Sequence, residues 1–317
     1  MEKMSKVLVL IKSMGIGDLC ILIPNVHAIS KKNGKPVTVL AQKNTHANAI
    51  LKHDPYVEKV IELNENEIKG FFSIIKKIKS EKFDQSYIFS DSIRFNFISK
   101  LAGIKENFQY EFFSKKGKNF FKTAKKFTEK TLKIEIDPQS KIYLDEEKIK
   151  VAKNKYNISD KIKNIVCGIS ASGSTKRWDI QNYIRLLENL NSKFQCKFFL
   201  AGGLNDENLI QKITESSVGK KCVSFSKMTI EETLPIISSC QFYIGNDTGW
   251  GHISSGLGLK SLFLFMDSPP SAYGVYSKNI SIIIPEGETL ESCGHNTRGK
   301  DRISFEKVLK KALEQIN

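Results

Sequence analysis

The sequence has no uncharged apolar run near the roughly 18 residues that a membrane-spanning helix needs. Its first apolar run, Val7 to Ile11, ends at Lys12, too short and too poorly flanked for a signal peptide. Cysteine is sparse. The six residues (Cys20, Cys167, Cys196, Cys222, Cys240 and Cys293) stand singly, with no Cys-x-x-Cys. A disulfide framework and a cysteine zinc site are therefore not expected, and a reducing cytoplasm suits such a chain. There is no His-Glu-x-x-His, no Gly-x-Ser-x-Gly, no Asp-x-Asp and no histidine-rich cluster, so no metal requirement is expected. No repeat at solenoid periods is found. With 40% hydrophobic and 26% charged residues, the chain is neither a disordered tail nor a collagen-like repeat. Its 317 residues suggest about two domains.

What it has in excess is positive charge: 49 lysines and arginines against 34 acids, a net +15. Residues 1–150 carry 28 basic against 18 acidic side chains, and residues 151–317 carry 21 against 16. The excess peaks between Ser114 and Lys133, where eight lysines face one acid, Glu129. Such a field attracts phosphates, anionic lipid surfaces or nucleic acid. A lysine-rich background is the competing reading.

Apolar runs alternate with helical periodicity. Strands are expected at Val7–Ile11, 37–41, Val57–Leu63 and 83–89. Helices are expected at 18–31, 68–79 and 93–102, and the basic segment 111–133 reads as irregular. A charged helix at 145–156 follows. The pattern then restarts, with strands at 165–169, 194–200, 223–225, 242–244 and 262–265 and helices at 180–191, from 205, at 230–239 and at 304–316. This alternation predicts parallel sheets covered by helices. The expected architecture is α/β: two doubly wound Rossmann-like domains, residues 1–155 and 156–317, facing a central cleft. The last helix has the option of returning to the first domain. Ligands are expected at the carboxyl ends of the strands.

Three segments at strand ends concentrate chemistry. Lys12-Ser13-Met14-Gly15-Ile16-Gly17-Asp18 follows the first strand, its glycines permitting a tight turn and close ligand approach. It lacks the third glycine of a dinucleotide fingerprint, having Cys20, and it is not a Walker loop. Asp18 reads either as a helix N-cap or as a general base. Ser170-Ala171-Ser172-Gly173-Ser174-Thr175-Lys176-Arg177-Trp178 sets hydroxyls and two cations at the end of the second half's first strand, which suits a phosphate or a capped surface turn. Gly245-Asn246-Asp247-Thr248-Gly249-Trp250-Gly251-His252 is an Asp-Thr-Gly turn that opens a helix and presents amides to an anion. Its Asn-Asp-Thr sequon is discounted without a secretion signal.

In this order the motifs resemble the bacterial lipopolysaccharide heptosyltransferases, glycosyltransferase family 9. The resemblance rests on Gly15-Ile16-Gly17-Asp18, Lys176-Arg177-Trp178, Ala201-Gly202-Gly203-Leu204-Asn205-Asp206-Glu207, Met228-Thr229-Ile230-Glu231 and Asp247-Thr248-Gly249-Trp250-Gly251-His252. The sequence departs from the pattern at Ala171, Asp179 and Trp250-Gly251.

The resemblance implies a GT-B fold, a nucleotide-sugar donor in the second domain and an inverting transfer. Asp18 matches the general base. Lys176 matches the cation on the donor diphosphate, with Ser172 beside it. Glu207 matches the ribose-binding acid, and Met228 lies near the base-binding wall. Asp247, Thr248, Gly249 and His252 match the loop around sugar and diphosphate.

The expected activity is transfer of a heptose from ADP-heptose to a phosphorylated, lipid-linked lipopolysaccharide core acceptor. It is expected in the cytoplasm, with peripheral contact at the inner membrane face, and without an obligatory cofactor. Gly15, Gly17, Lys122, Lys125 and Lys126 are the expected acceptor-side residues. Phe112, Phe113, Phe120, Phe121 and Phe127, interleaved with these lysines, read as interface contacts or as ordinary core. Alternatives are another nucleotide sugar or surface-glycan acceptor, a GT-B nucleotide-sugar epimerase, and a non-catalytic phosphate- or nucleic-acid-binding module. The last lacks any recognisable nucleic-acid motif, and no nucleic-acid partner is expected.

Overall fold

Five consecutive apolar residues, Val7–Ile11, can be satisfied only by burial on both faces, and all five are buried. They form β1, the centre of a parallel sheet. The computed structural model describes residues 5–12, 15–110 and 119–316. It divides into two units, Met1–Tyr143 and Leu144–Asn317. In the first, β1 is joined by β2 (Val37–Gln42), β3 (Val57–Leu63), β4 (Gln85–Phe89) and β5 (Glu106–Gln109), in the order β3-β2-β1-β4-β5. Leu8, Leu10, Leu40 and Ile88 of this sheet pack with Ile74, Ile78, Phe95 and Ile98 from the covering helices.

The second unit repeats the plan with β6 (Lys163–Gly168), β7 (Cys196–Ala201), β8 (Cys222–Ser224), β9 (Phe242–Asn246), β10 (Lys260–Leu264) and β11 (Ile280–Ile283). Their order is β11-β10-β9-β6-β7-β8, all parallel. Each sheet thus sets its first strand beside its fourth: β1 pairs with β4 and β6 with β9. At that junction the connections leave in opposite directions and open a crevice at the carboxyl ends of the strands. Both units are therefore doubly wound Rossmann-like sheets.

The structure moves some boundaries. The helix Glu146–Lys155, expected in the first domain, belongs to the second unit. It packs on the helix Ile230–Ser238, where Lys148 pairs with Glu231 at 2.8 Å. The final helix, Phe305–Ile316, lies against the helix Ile180–Lys193 and strands β9 and β10 of its own unit. The expectation of an irregular basic segment is corrected. Phe120–Leu132 is a helix, capped by the Asn119 side chain and burying Ala124, Thr128 and Leu132 at four-residue spacing. Phe112 and Phe113 lie outside the described residues. Phe127 is half-buried and packs inward, its ring edge-on to Phe89 at 5.4 Å and to Tyr110 at 5.1 Å. All six cysteines are free thiols. Burial raises their pKa values, that of Cys196 to about 11 and that of Cys222 to about 12. No helix among the described residues is long and apolar enough to cross a membrane.

Candidate active site

The switch point of the second unit pairs Gly168 with Gly245. A Cβ on Gly245 would collide with the Gly168 backbone, so only glycine lets these two strand ends lie this close. Asn246, the last residue of β9, is fully buried at this junction. Its Nδ2 donates to the carbonyls of Ile169 (3.1 Å) and Ser170 (3.0 Å). Its Oδ1 accepts from the Trp178 amide (3.1 Å) and from the Tyr183 hydroxyl (3.0 Å). One side chain thereby shapes the whole Ser170–Trp178 loop.

Two carboxylates extend this wiring. Asp267, just past β10 and buried, accepts from the Thr175 hydroxyl at 2.6 Å and from the Arg298 amide at 3.0 Å. Burial works to raise its pKa. The Thr175 hydroxyl, the Arg298 and Asn296 amides and the charge of nearby Lys176 outweigh this and hold it below the usual carboxylate value. Asp247, just past β9, accepts from Ser268 at 2.6 Å and faces His252 Nε2 at 3.3 Å. The other ring nitrogen of His252 lies 2.9 Å from the Tyr276 hydroxyl. The loops after β6, β9 and β10 are therefore fastened to one another through side chains.

Into this frame come the expected donor-side residues. Lys176 is half-buried beside Asp267, and Ser172 is exposed on the same loop. Thr248 is the N-cap of the helix Gly249–Gly256, yet its side chain makes no capping bond; its hydroxyl lies 3.5 Å from that of Tyr243. The first-turn amides of a helix carry a partial positive charge suited to an anion. Glu207 opens the helix Glu207–Thr214 after β7 and lies 3.9 Å from Lys227, next to Met228. Met228 accepts at sulfur from the Tyr156 hydroxyl (3.9 Å). Arg177 turns toward the β7 loop and pairs with Asp206 at 3.2 Å.

In the first unit, Gly15 is the N-cap of the helix Ile16–Asn33, and Asp18 lies in its first turn. The N-cap reading of Asp18 is thus corrected. Burial first, and the Asp18 charge second, push the Cys20 thiol and the Tyr110 hydroxyl up. Gly15 and Gly17 are half-buried on this turn, while Ser13 and Met14 lie outside the described residues. Nearby strand ends border a cavity of about 740 Å³ whose lining includes Lys12, Lys43, His46, Lys69 and Arg94. Arg94 is committed to the carbonyls of Ile68 (2.8 Å) and Lys69 (3.0 Å). On the helix Phe120–Leu132, Lys122 and Lys126 are exposed. Lys125, expected to act with them, is instead turned inward: its Nζ pairs with Glu129 at 2.6 Å and donates to the Ile136 carbonyl at 3.0 Å. Among the described residues, no group of three or more His, Cys, Asp or Glu side chains is placed to hold a metal ion.

The sequence model of glycosyltransferase family 9 (heptosyltransferase) matches residues 71–300, well over half of the chain. The chain belongs to glycosyltransferase family 9. This heptosyltransferase-family protein is therefore a glycosyltransferase. It is 21% identical over 323 residues to a lipopolysaccharide heptosyltransferase 1 of Campylobacter coli, covering 93% of each chain. Among solved structures it resembles the family 9 glycosyl transferase of Veillonella parvula, with a TM-score of 0.83, 17% identity, and 100% of this chain and 98% of that one covered. It also resembles the E. coli heptosyltransferase WaaC solved with ADP, with a TM-score of 0.74 and 15% identity over 98% of this chain and 100% of that one. WaaC has also been solved with ADP-2-deoxy-2-fluoro heptose. These likenesses give this family 9 chain the GT-B fold.

Within the family 9 fold, the structure fastens Lys176 and the Asp247–His252 loop into one frame. It adds Thr175 and Asn246, which lay inside two of the motifs without a role of their own, and Asp267, Ser268 and Tyr276, which lay outside them. Asp267 and Ser268 had a legible signal, since an acid and a hydroxyl directly follow an apolar strand. Tyr276 had none, lying in a loop with no polar motif around it.

Proposed function

We propose that this chain transfers a heptose, with inversion, from ADP-heptose to a phosphorylated, lipid-linked lipopolysaccharide core acceptor. The observation that carries this reading is the joining of the β6, β9 and β10 loops around Lys176 and the N-terminus of the helix Gly249–Gly256. A cation beside a helix N-terminus at a switch point suits a nucleoside diphosphate. The ADP and ADP-sugar complexes of WaaC support the choice of donor.

In this reading Glu207 accepts from the ribose hydroxyls and Met228 lines the adenine. Lys176, the Thr248 hydroxyl and the amides that follow it stabilise charge growing on the departing diphosphate. His252, oriented by Asp247 and Tyr276, fixes the loop around the sugar. An acceptor hydroxyl is a weak nucleophile near neutral pH. Asp18 takes its proton as the new glycosidic bond forms and the bond to ADP breaks, and a single displacement of this kind inverts the anomeric carbon. Lys12, Lys43, Lys122 and Lys126 meet anionic groups of the acceptor or the cytoplasmic face of the inner membrane, each cation contributing about 1 kcal/mol.

The test is incubation with ADP-heptose, with and without a core acceptor, followed by ADP release and by the anomeric configuration of the product. Acceptor-dependent ADP release with inversion is expected. Loss of ADP-heptose that ignores the acceptor would instead favour an epimerase.

A further inference from the structure

We infer that Arg298 is a second cation on the donor diphosphate, supplied by the loop that follows Cys293. This assignment rests on the nucleotide-sugar reading above and deepens it.

The loop is cinched onto the end of β10. The Gly299 amide donates to the Met266 carbonyl at 2.9 Å, the Arg298 amide to Asp267 at 3.0 Å, and the Gly294 amide to the Thr297 hydroxyl at 2.8 Å. Holding it this way forces two non-glycine residues into the left-handed region, Asn296 at φ 78° and Arg298 at φ 47°. Asparagine tolerates that conformation, because its short side chain bonds locally. Arginine gains nothing from it. A glycine or asparagine at position 298 would make the same backbone bond to Asp267 with less strain. Strain retained at a site implies a use for the side chain.

That use follows from position. Asp267 holds the Arg298 amide with one carboxylate oxygen and the Thr175 hydroxyl with the other. Thr175 adjoins Lys176. Arg298 therefore springs from the far side of the same carboxylate that anchors the Lys176 turn. Its side chain is exposed, and its guanidinium has no hydrogen bond, ion pair or ring contact among the described residues. One carboxylate thus orders two cation-bearing loops at one strand end. A planar guanidinium matches phosphate oxygens two at a time, where a lysine acts as a point charge. Lys176 and Arg298 together balance the two phosphates of a nucleoside diphosphate, whereas a monophosphate needs only one of them.

The experiment is calorimetric titration of the full chain with ADP and AMP, for wild type, Arg298→Gly and Arg298→Lys. Arg298→Gly keeps the amide bond to Asp267 and relaxes the backbone, so its Tm should match or exceed that of wild type. ADP affinity should fall about tenfold to a hundredfold, as expected for a lost charged hydrogen bond. AMP affinity should change less than threefold, and Arg298→Lys should recover part of the ADP loss. ADP affinity in Arg298→Gly within twofold of wild type, an equal loss for AMP, or a marked fall in Tm each overturns the assignment. A wild-type protein that binds no ADP overturns the donor reading as well, so the two failures are distinguishable.

Discussion

Burial works to raise the pKa of Asp267, and its hydrogen-bond partners and the Lys176 charge hold it below the usual carboxylate value. Its folded pKa is depressed, so its contribution to stability is complete above the unfolded value of about 3.9 and is lost as pH falls through the folded value. Asp267→Asn should therefore be less stable than wild type near neutral pH, and the gap should close below about pH 4. Urea unfolding at several pH values measures this; a gap independent of pH would mean that shape rather than charge holds the loop. Asn246 acts by geometry alone. Asn246→Ala leaves the buried Trp178 amide and Ile169 carbonyl unpaired, each orphan costing about 1–3 kcal/mol, and frees the part-buried Ser170 carbonyl. A fall in the urea midpoint with an unchanged m value, together with weaker ADP binding, is expected. Asp18→Asn should keep the fold and ADP affinity and lose about 10²- to 10⁴-fold in transfer. Turnover near wild type would leave Asp18 only a first-turn helix charge. These residues were unequally legible. Asp18 and Lys176 stand in small-residue turn motifs that follow apolar runs, and so were legible. Asn246 lay in a motif, but its partners stand 63 to 77 residues away, and only the β6–β9 pairing brings them together.

At the scale of elements, long apolar runs gave the central strands, because a strand buried on both faces must be apolar throughout. The edges were harder. β5 (Glu-Asn-Phe-Gln) and β11 (Ile-Ser-Ile-Ile), both edge strands of four residues, escaped notice, because so short a run carries little apolar signal and an edge strand faces water along one side; the longer edge strand β3 was legible. The helix Phe120–Leu132 hid for another reason: its buried stripe includes Ala124 and Thr128, small side chains with little apolar signal amid lysines. Thr128 is nonetheless fixed, bonding Asn25 at 2.8 Å and the Ala124 carbonyl at 3.0 Å. The helix is thus anchored to Ile16–Asn33, the helix whose first turn holds Asp18. Its lysines divide accordingly. Lys122→Gln with Lys126→Gln should raise the acceptor KM, most at low salt, and leave ADP affinity and Tm unchanged. Lys125→Gln strips Glu129 and the Ile136 carbonyl of their cation and should lower Tm with little effect on acceptor KM. If the outer pair leaves acceptor kinetics indifferent to salt, those lysines only solvate the helix.

Each unit has a core cluster of its own. Trp178, Tyr183, Phe198, Leu264 and Val308 belong to one cluster drawn wholly from the second unit. The cluster around Leu8, Ile88 and Phe95 is drawn wholly from the first. The strand order, with its switch point, is complete within each sheet. The bonds that shape the donor frame join residues within 144–317: Thr175 to Asp267, Trp178 to Asn246, Ser268 to Asp247 and His252 to Tyr276. The boundary itself was poorly legible, because the charged helix Glu146–Lys155 carries one buried side chain, Ala152, and so little to say which core it serves. Its pairing with the helix Ile230–Ser238 decides the matter, and a cut at residue 155 would strip that helix of its cover. A fragment of residues 144–317 should therefore unfold cooperatively in urea and bind ADP within about threefold of the full chain, since one unit holds every donor-side group (about 0.7 kcal/mol at most). It should show no transfer, because Asp18 is missing. A fragment of residues 156–317 should be less stable, with the face of Ile230–Ser238 uncovered. If the longer fragment folds and yet fails to bind ADP, the donor site needs residues of the first unit, and the assignment of donor binding to the second unit alone is wrong.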